Sequence, residues 1–444
     1  MKMNRNYSKE QVLEIAEEKG VELIHLQFTD IAGVMKNVSV PIEQLETALN
    51  NQIMFDGSSI DGFVRIEESD MYLYPDVSTF VIFPWSPQEA RIICDVYNTD
   101  GTPFMGCPRN VLKKSLQKAA DLGYKFNVGP ECEFFLFNTD EKGEPSLETQ
   151  DRAGYFDLSP VDLGGSARRD MIAVLKEMGF KIEAAHHECA PGQHEIDFKY
   201  DDALRAADNI MTFKMVVRII AQRNGLHATF MPKPISGIAG SGMHINMSLE
   251  NLQGGNAFYD EADVLGLSPI AYQFIAGLLK HASDFTAVTN PTINSYKRLV
   301  PGYEAPVYIA WSASNRSPLV RVPSKKGPAS RVELRNPDPS ANPYLALTVA
   351  LEAGLDGLNT EMMPPEPVNS NIYHMEKDER KEFGIGALPK TLFEALKNLR
   401  NNSLMKEALG DHVYAKFKEQ ILEECEAYAG FVTQWEIERY LKKF

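Results

Sequence analysis

Apolar and polar positions alternate along the chain with two periods, and each predicts its own elements. Val12, Leu13, Ile15 and Ala16 recur at helical spacing behind Ser8, a capping residue, which predicts a helix over 8–19. Period-two alternation predicts strands over 21–29, 71–85 and 91–97, with a turn at 31–34, a short helix at 42–50 and a turn at 98–103. Beyond it the pattern predicts helices over 109–122, 167–178, 202–224 and 269–285. Strands are expected at 124–137, 180–187, 193–199, 226–232 and 242–249, and a mostly helical end from about 390. Residues 138–160 read as a polar loop. We place a boundary near 103. The reading is α+β: a small domain over 1–103 and a large, mainly antiparallel domain over 104–444.

Several of these strands carry charge where a core strand should not. Glu131 and Glu133 sit two apart at the head of the apolar run Phe134-Phe135-Leu136-Phe137, so both carboxylates project from one face. Glu188 and Glu195 flank Cys189-Ala190-Pro191-Gly192-Gln193-His194. In Arg331-Val332-Glu333-Leu334-Arg335, alternation puts three charged groups on one face. Like charges beside a core need a cation, so strands carrying them in this way point to a divalent-metal site in a large sheet. A glycine-rich loop, Lys233 to Ser248, runs into a strand on which His244, Asn246 and Ser248 share a face. It is neither a P-loop nor a dinucleotide fingerprint.

Composition narrows the class. A net charge of −16 with no basic block argues against nucleic acid as a direct partner. Five scattered cysteines without a CxxC predict reduced thiols and a cytoplasmic protein. Cys132 and Cys189, beside candidate ligands, are expected to be packed thiols. No apolar run reaches membrane-spanning length.

These segments together resemble the type I glutamine synthetases, most closely the short form of low-GC Gram-positive bacteria. Phe55-Asp56-Gly57-Ser58-Ser59 with Glu68-Ser69-Asp70-Met71-Tyr72-Leu73 is similar to the family's amino-terminal signature, and Lys233 to Ser248 to its ATP-region signature. Asn290 to Leu299, Pro301 to Pro306 and Arg331 to Arg335 match its glutamate segment, flap and arginine strand. The resemblance implies a β-grasp-like small domain, a catalytic domain of the glutamine synthetase fold, and ATP-dependent ligation of ammonia to L-glutamate through γ-glutamyl phosphate.

It also implies two or more Mg²⁺ or Mn²⁺ ions per site. Glu133, Glu188 and Glu195 would hold one ion, and Glu131, His244 and Glu333 the other. Arg298 and Arg335 would contact glutamate, with Gly240 through its backbone. Ala239 departs from the asparagine of many relatives. Arg316 would stabilise the transferring phosphoryl group, while Arg321, Arg331, Asn246 and Ser248 would contact ATP. Asp56 would take the proton from ammonium, reaching into a neighbouring subunit's site, and Glu304 would close over it. A dodecamer of two stacked hexameric rings is expected, tied by Trp435 to Phe444. Feedback inhibition by glutamine, with Arg65 as sensor, and nitrogen-regulatory transcription factors as partners are further expectations. The segment 369–374 does not reproduce the family's adenylylation setting. Rival readings are a γ-glutamyl ligase acting on an amine or polyamine, a non-catalytic nitrogen-sensing ring and a metal-dependent hydrolase.

Overall fold

A computed structural model describes residues 7–60, 62–63 and 69–444. Ser8 caps the first helix, Lys9–Glu18, and closes a capping box with Gln11. The five-stranded sheet that follows runs in the order Met35–Pro41, Leu23–Thr29, Ser86–Tyr97, Asp70–Phe83, Ile53–Asp56. Leu23–Thr29 pairs in parallel with Ser86–Tyr97; the other pairings are antiparallel. Its inward residues include Ile24, Leu26 and Phe28, all buried. Asp56 stands at the end of the edge strand. Arg65, the expected sensor, and Glu68 of the signature lie outside the described residues.

The second sheet has ten strands and is built around Tyr124–Thr139. Met243–Asn251, Val332–Leu334, Val320–Arg321 and Trp311–Ser312 follow on one side, Gln193–Phe198 and Ile182–His187 on the other. Short strands Asp201–Asp202, Leu226–Thr229 and Pro145–Thr149 also pair with the central strand. The last of these falls inside the segment expected to be only a polar loop. Helices Pro108–Asp121 and Ala203–Arg223 pack against the central strand, and Pro343–Asn359 packs on both of them and on Pro269–Thr289. Helix Pro343–Asn359 escapes the periodicity reading for a physical reason. Leu345, Leu347, Val349 and Leu351 are all buried, so it has no polar face to reveal a period.

Two polar joints lock the small sheet to the helices. Asn342 caps Pro343–Asn359 and donates to the carbonyls of Asp30 (3.0 Å) and Ile31 (3.2 Å). Arg109, buried on Pro108–Asp121, donates to Asp76 (2.6 Å) and Asp95 (2.7 Å) of the small sheet and to Asp208 (3.0 Å) of Ala203–Arg223. Tyr344 adds a bond to Asp208 at 2.7 Å. Burial opposes the charge on Asp76, but Arg109 and Ser78 outweigh it and hold the carboxyl below its ordinary value.

Arg109→Met should therefore strand Asp208 as a buried charge without its cation and leave Asp95 with Lys113 alone. We expect a loss of about 3–5 kcal/mol in urea unfolding. A loss no larger than that of a surface substitution would mean the joint carries no such weight.

Candidate active site

Register alone gathers the carboxylates. Glu131 on Tyr124–Thr139 lies opposite His244 of Met243–Asn251, and Asn246 two positions on lies opposite Glu333. On the other side Glu133 lies opposite Glu195, and Glu195 opposite His186. Period-two alternation then points all of these to one face. Two clusters result. His244 Nδ1 lies 3.4 Å from Glu131 and 3.6 Å from Glu333. His186 lies 3.3 Å from Glu188 and 3.5 Å from Glu195. Within each triple the ligand atoms all fall within 4.8 Å of one another. Glu133 stands between them, its Oε2 accepting from Gln193 Nε2 (2.8 Å) and the backbone N–H of Gly242 (2.9 Å).

The electrostatics divide this face. Burial pushes Glu133 up to about 7, with Arg298 and Arg335 pulling it back. Burial and the charge of Glu133 push Glu188 up to about 8; burial and Asp197 drive Glu195 well above the carboxylate range. Asp197, on the same face, is raised to about 7 by burial and Glu131, and its Oδ1 is buried without a hydrogen bond. Glu131 behaves oppositely. Burial would raise it, but the hydrogen bond and charge of His244, a bond from Asn246 and the charge of Arg321 bring it to about 2. Burial lowers His186, so the pocket it shares with Glu188 and Glu195 favours neutral groups throughout. Crowded carboxyls of this kind are what a divalent cation relieves. Hard oxygen donors with imidazole suit Mg²⁺ or Mn²⁺, so the residues present fit such ions. No thiol joins either cluster. Cys132 is buried as expected, whereas Cys189 is exposed, contrary to the packed-thiol reading, because it sits on the turn after Glu188 and not in a strand.

A cleft of about 500 Å³ opens beside Glu131, floored by Asn246, Ser248 and Arg331. Asn246 links the two sides: its Nδ2 donates to Glu131 (2.9 Å) and its Oδ1 accepts from Arg331 (2.9 Å). The glycine loop that leads into the strand of His244 is tightly packed. A Cβ on Gly240 would lie 2.3 Å from the carbonyl of Pro232, and one on Gly242 2.7 Å from the Arg298 guanidinium. Arg298 is buried and donates to the carbonyls of Asn336 (2.7 Å) and Arg335 (3.3 Å). Arg335 and Arg321 both pair with Glu333, and Arg335 also reaches the carbonyl of Arg316.

Other expected residues stand apart. Arg316 is exposed and hydrogen-bonded to Tyr155. Glu304 is exposed with φ of 61°, a left-handed conformation unusual for a side chain of its size. Its loop is held by Tyr373, which donates to the carbonyl of Ala305 at 2.6 Å, and by Lys233, 3.9 Å over the Tyr303 ring. Asp56 is exposed and accepts from Ser58 N (2.8 Å) and Oγ (2.6 Å), which lower its pKa. Among the described residues, no hydrogen bond or ion pair joins it to either cluster. Four functional neighbours were missed in the sequence: His186, Gln193, Asp197 and Tyr155. Asp197 was legible, since it follows Glu195 at the same two-residue step.

The family model described as the glutamine synthetase catalytic domain matches residues 105–440, and that of the glutamine synthetase beta-Grasp domain matches 20–99. A glutamine synthetase of Clostridium saccharobutylicum is 61% identical over 441 residues, covering 99% of each chain. One from Staphylococcus aureus (strain COL) is 58% identical over 444 residues, with 99% of each covered. A solved GmaS/ADP complex superposes with a TM-score of 0.90 at 34% identity, over 97% of this chain and 99% of that one. Plasmodium falciparum glutamine synthetase, solved by electron cryomicroscopy, superposes at 0.88 and 26% identity, over 99% and 100%.

The raised carboxyls carry a pH signature. Folded, Glu133 and Glu188 keep protons that an unfolded chain releases above its ordinary carboxylate range, so stability in chelator falls as pH rises from about 5 to 8. Saturating Mg²⁺ or Mn²⁺ should flatten that slope in thermal scans. A slope untouched by the ions would sink the assignment of these carboxyls as their ligands.

Proposed function

Because the chain belongs to the glutamine synthetase family, it is an ATP-dependent glutamate–ammonia ligase, and we propose that the two carboxylate clusters and the arginines around them carry that reaction. The observation that carries the reading is the meeting of Glu131–His244–Glu333 with Glu188, Glu195 and Glu133 at the end of a nucleotide-sized cleft. A related structure solved as an ADP complex supports a nucleotide as ligand.

A carboxylate is a poor electrophile, because its charge repels nucleophiles and it offers no leaving group. Transfer of the ATP γ-phosphoryl group to glutamate answers both, giving γ-glutamyl phosphate and ADP. Mg²⁺ or Mn²⁺, when bound, would neutralise phosphoryl charge; Glu133, Glu188 and Glu195 would hold one ion and Glu131, His244 and Glu333 another. Arg298 and Arg335, with the Gly240 backbone, orient glutamate, and their bonds to carbonyls and to Glu333 fix the guanidinium planes beforehand. Arg316 leaves Tyr155 to meet the phosphoryl group, while Arg321, Arg331, Asn246 and Ser248 position ATP. Ammonium must lose a proton before it attacks the acyl phosphate, and Asp56 of a neighbouring copy accepts it. Glu304 closes over the site and keeps water from the acyl phosphate.

The detached position of Asp56 supports a site shared between copies. So do two exposed apolar stretches: Phe156, Leu158, Val161 and Leu163 beside the site, and Phe431, Trp435, Leu441 and Phe444 at the end of the chain. We assign these to the interfaces of a dodecamer of two six-membered rings, the second stretch tying ring to ring. A cytoplasmic location, feedback inhibition by glutamine and a nitrogen-regulatory partner belong to the same proposal. No helix among the described residues is long and apolar enough to cross a membrane.

Purified protein with Mg²⁺, ATP and glutamate should release phosphate in step with ammonium and yield glutamine. Turnover only with an alkylamine or polyamine would move it to the γ-glutamyl-amine ligases, and none at all to a sensing ring. Asp56→Ala should lower glutamine formation by about 10²–10⁴-fold while ion binding, read by calorimetry, stays intact. Glu304→Ala should release phosphate without matching glutamine; unchanged coupling would count against its role as a lid.

A further inference from the structure

Behind the face that carries Glu133, Glu188 and Glu195, one carboxylate organises the turn from which Glu188 projects. The side chains of Asp151 and His187 are fully buried against each other. His187 Nδ1 donates to the carbonyl of Glu188 at 2.7 Å, and its Nε2 donates to Asp151 Oδ1 at 3.1 Å. Both partners are acceptors, so a half-turn of the ring would set a carbon against each. Asp151 Oδ1 also accepts from the Gly192 N–H at 2.9 Å, and its Oδ2 from the Leu163 N–H at 3.2 Å.

The turn 188–193 therefore hangs at both ends on a single oxygen, through the His187 ring at its start and directly through Gly192 near its close. Inside it, the Glu188 N–H donates to the Gln193 carbonyl (2.8 Å) and the Ala190 N–H to Gln193 Oε1 (3.1 Å). Gly192 has φ of 67°, and a Cβ there would lie 2.8 Å from the carbonyl oxygen of Leu136, so this close approach needs a glycine. Two groups of the candidate site stand on this braced turn. One is Glu188; the other is Gln193, whose Nε2 donates to Glu133 Oε2 (2.8 Å) and to the Gly240 carbonyl (3.1 Å). His186 and His187 are successive residues of one strand, so the His187 ring lies on the other side of the sheet from His186, which meets Glu188 and Glu195. Asp151 and His187 thus reach the site through the backbone of the turn and not as ligands.

We propose that Asp151, acting through His187 and Gly192, is a positioning residue for the ion that Glu133, Glu188 and Glu195 would hold, an inference that rests on the assignment of those carboxyls as ligands. It sets the direction of Glu188 and Gln193 beforehand, so that less ordering is left to ion binding.

The test titrates the intact, nucleotide-free protein with Mn²⁺ in a calorimeter. Glu188→Gln should weaken one of the ions bound by the native chain and so mark it. Asp151→Ala should weaken one ion by about 10–100-fold, leave the other unchanged, and cause no further loss when added to Glu188→Gln. If Glu188→Gln weakens no ion, the ligand assignment fails and the inference with it. If Glu188→Gln weakens one ion while Asp151→Ala weakens neither, or both alike, the inference alone is overturned. Should Asp151→Ala not fold, hydrogen exchange of the native protein decides. Amides of 188–193 protected in chelator as fully as with Mn²⁺ support a turn set beforehand, and protection gained only with the ion overturns it.

Discussion

Repulsion between buried carboxylates is the constraint around which the catalytic sheet is arranged. Two like charges 4 Å apart in protein surroundings repel by about 4 kcal/mol, against about 1.4 kcal/mol for one pKa unit. The chain answers in two ways. Glu131 and Glu333 are matched by His244, Arg321 and Arg335, and Glu131 stays ionised. Glu133, Glu188, Glu195 and Asp197 have too little positive charge beside them to offset burial, and their pKa values rise instead. These four carboxyls are thus the stronger demand for outside positive charge, and Glu131 and Asp197 both border the cleft.

Rigidity comes from behind the sheet. Arg109 gathers three aspartates from two strands and a helix, so the small sheet cannot shift without breaking a buried charged joint. Asn342 repeats the device with two backbone carbonyls. The edge strand bearing Asp56 is therefore held by the same helices that back the carboxylate-bearing face. The proposed role of Asp56 in a neighbour's site calls for a firm base, and these two joints would supply it.

Much of this was legible in the sequence because strand periodicity carries it. Glu131 with Glu133, Glu333 between two arginines, and His244 with Asn246 all announce their shared face by two-residue steps. His186 was not legible, because its contact with Glu188 and Glu195 depends on how the strand on either side of Gly192 folds back. Gln193 was missed for the same reason. Helix Pro343–Asn359 was hidden by being apolar on every side. Tyr155 sits on a loop, where no period exists to place it beside Arg316. Pairing across the sheet and loop geometry are long-range properties, and a local pattern holds neither.

The register of the sheet has a consequence for how such a gene can change. Each polar side chain of this face holds its place by parity: 131 and 133, 195 and 197, 244 and 246, 333. Loss of one codon ahead of any of these residues within its strand would turn that whole set of side chains into the core. Loss of two codons would slide the set while leaving it on the same face. These four strands should therefore accumulate substitutions on their apolar side while single-codon insertions and deletions are purged, and length variation should collect in loops such as 140–144 and 252–256.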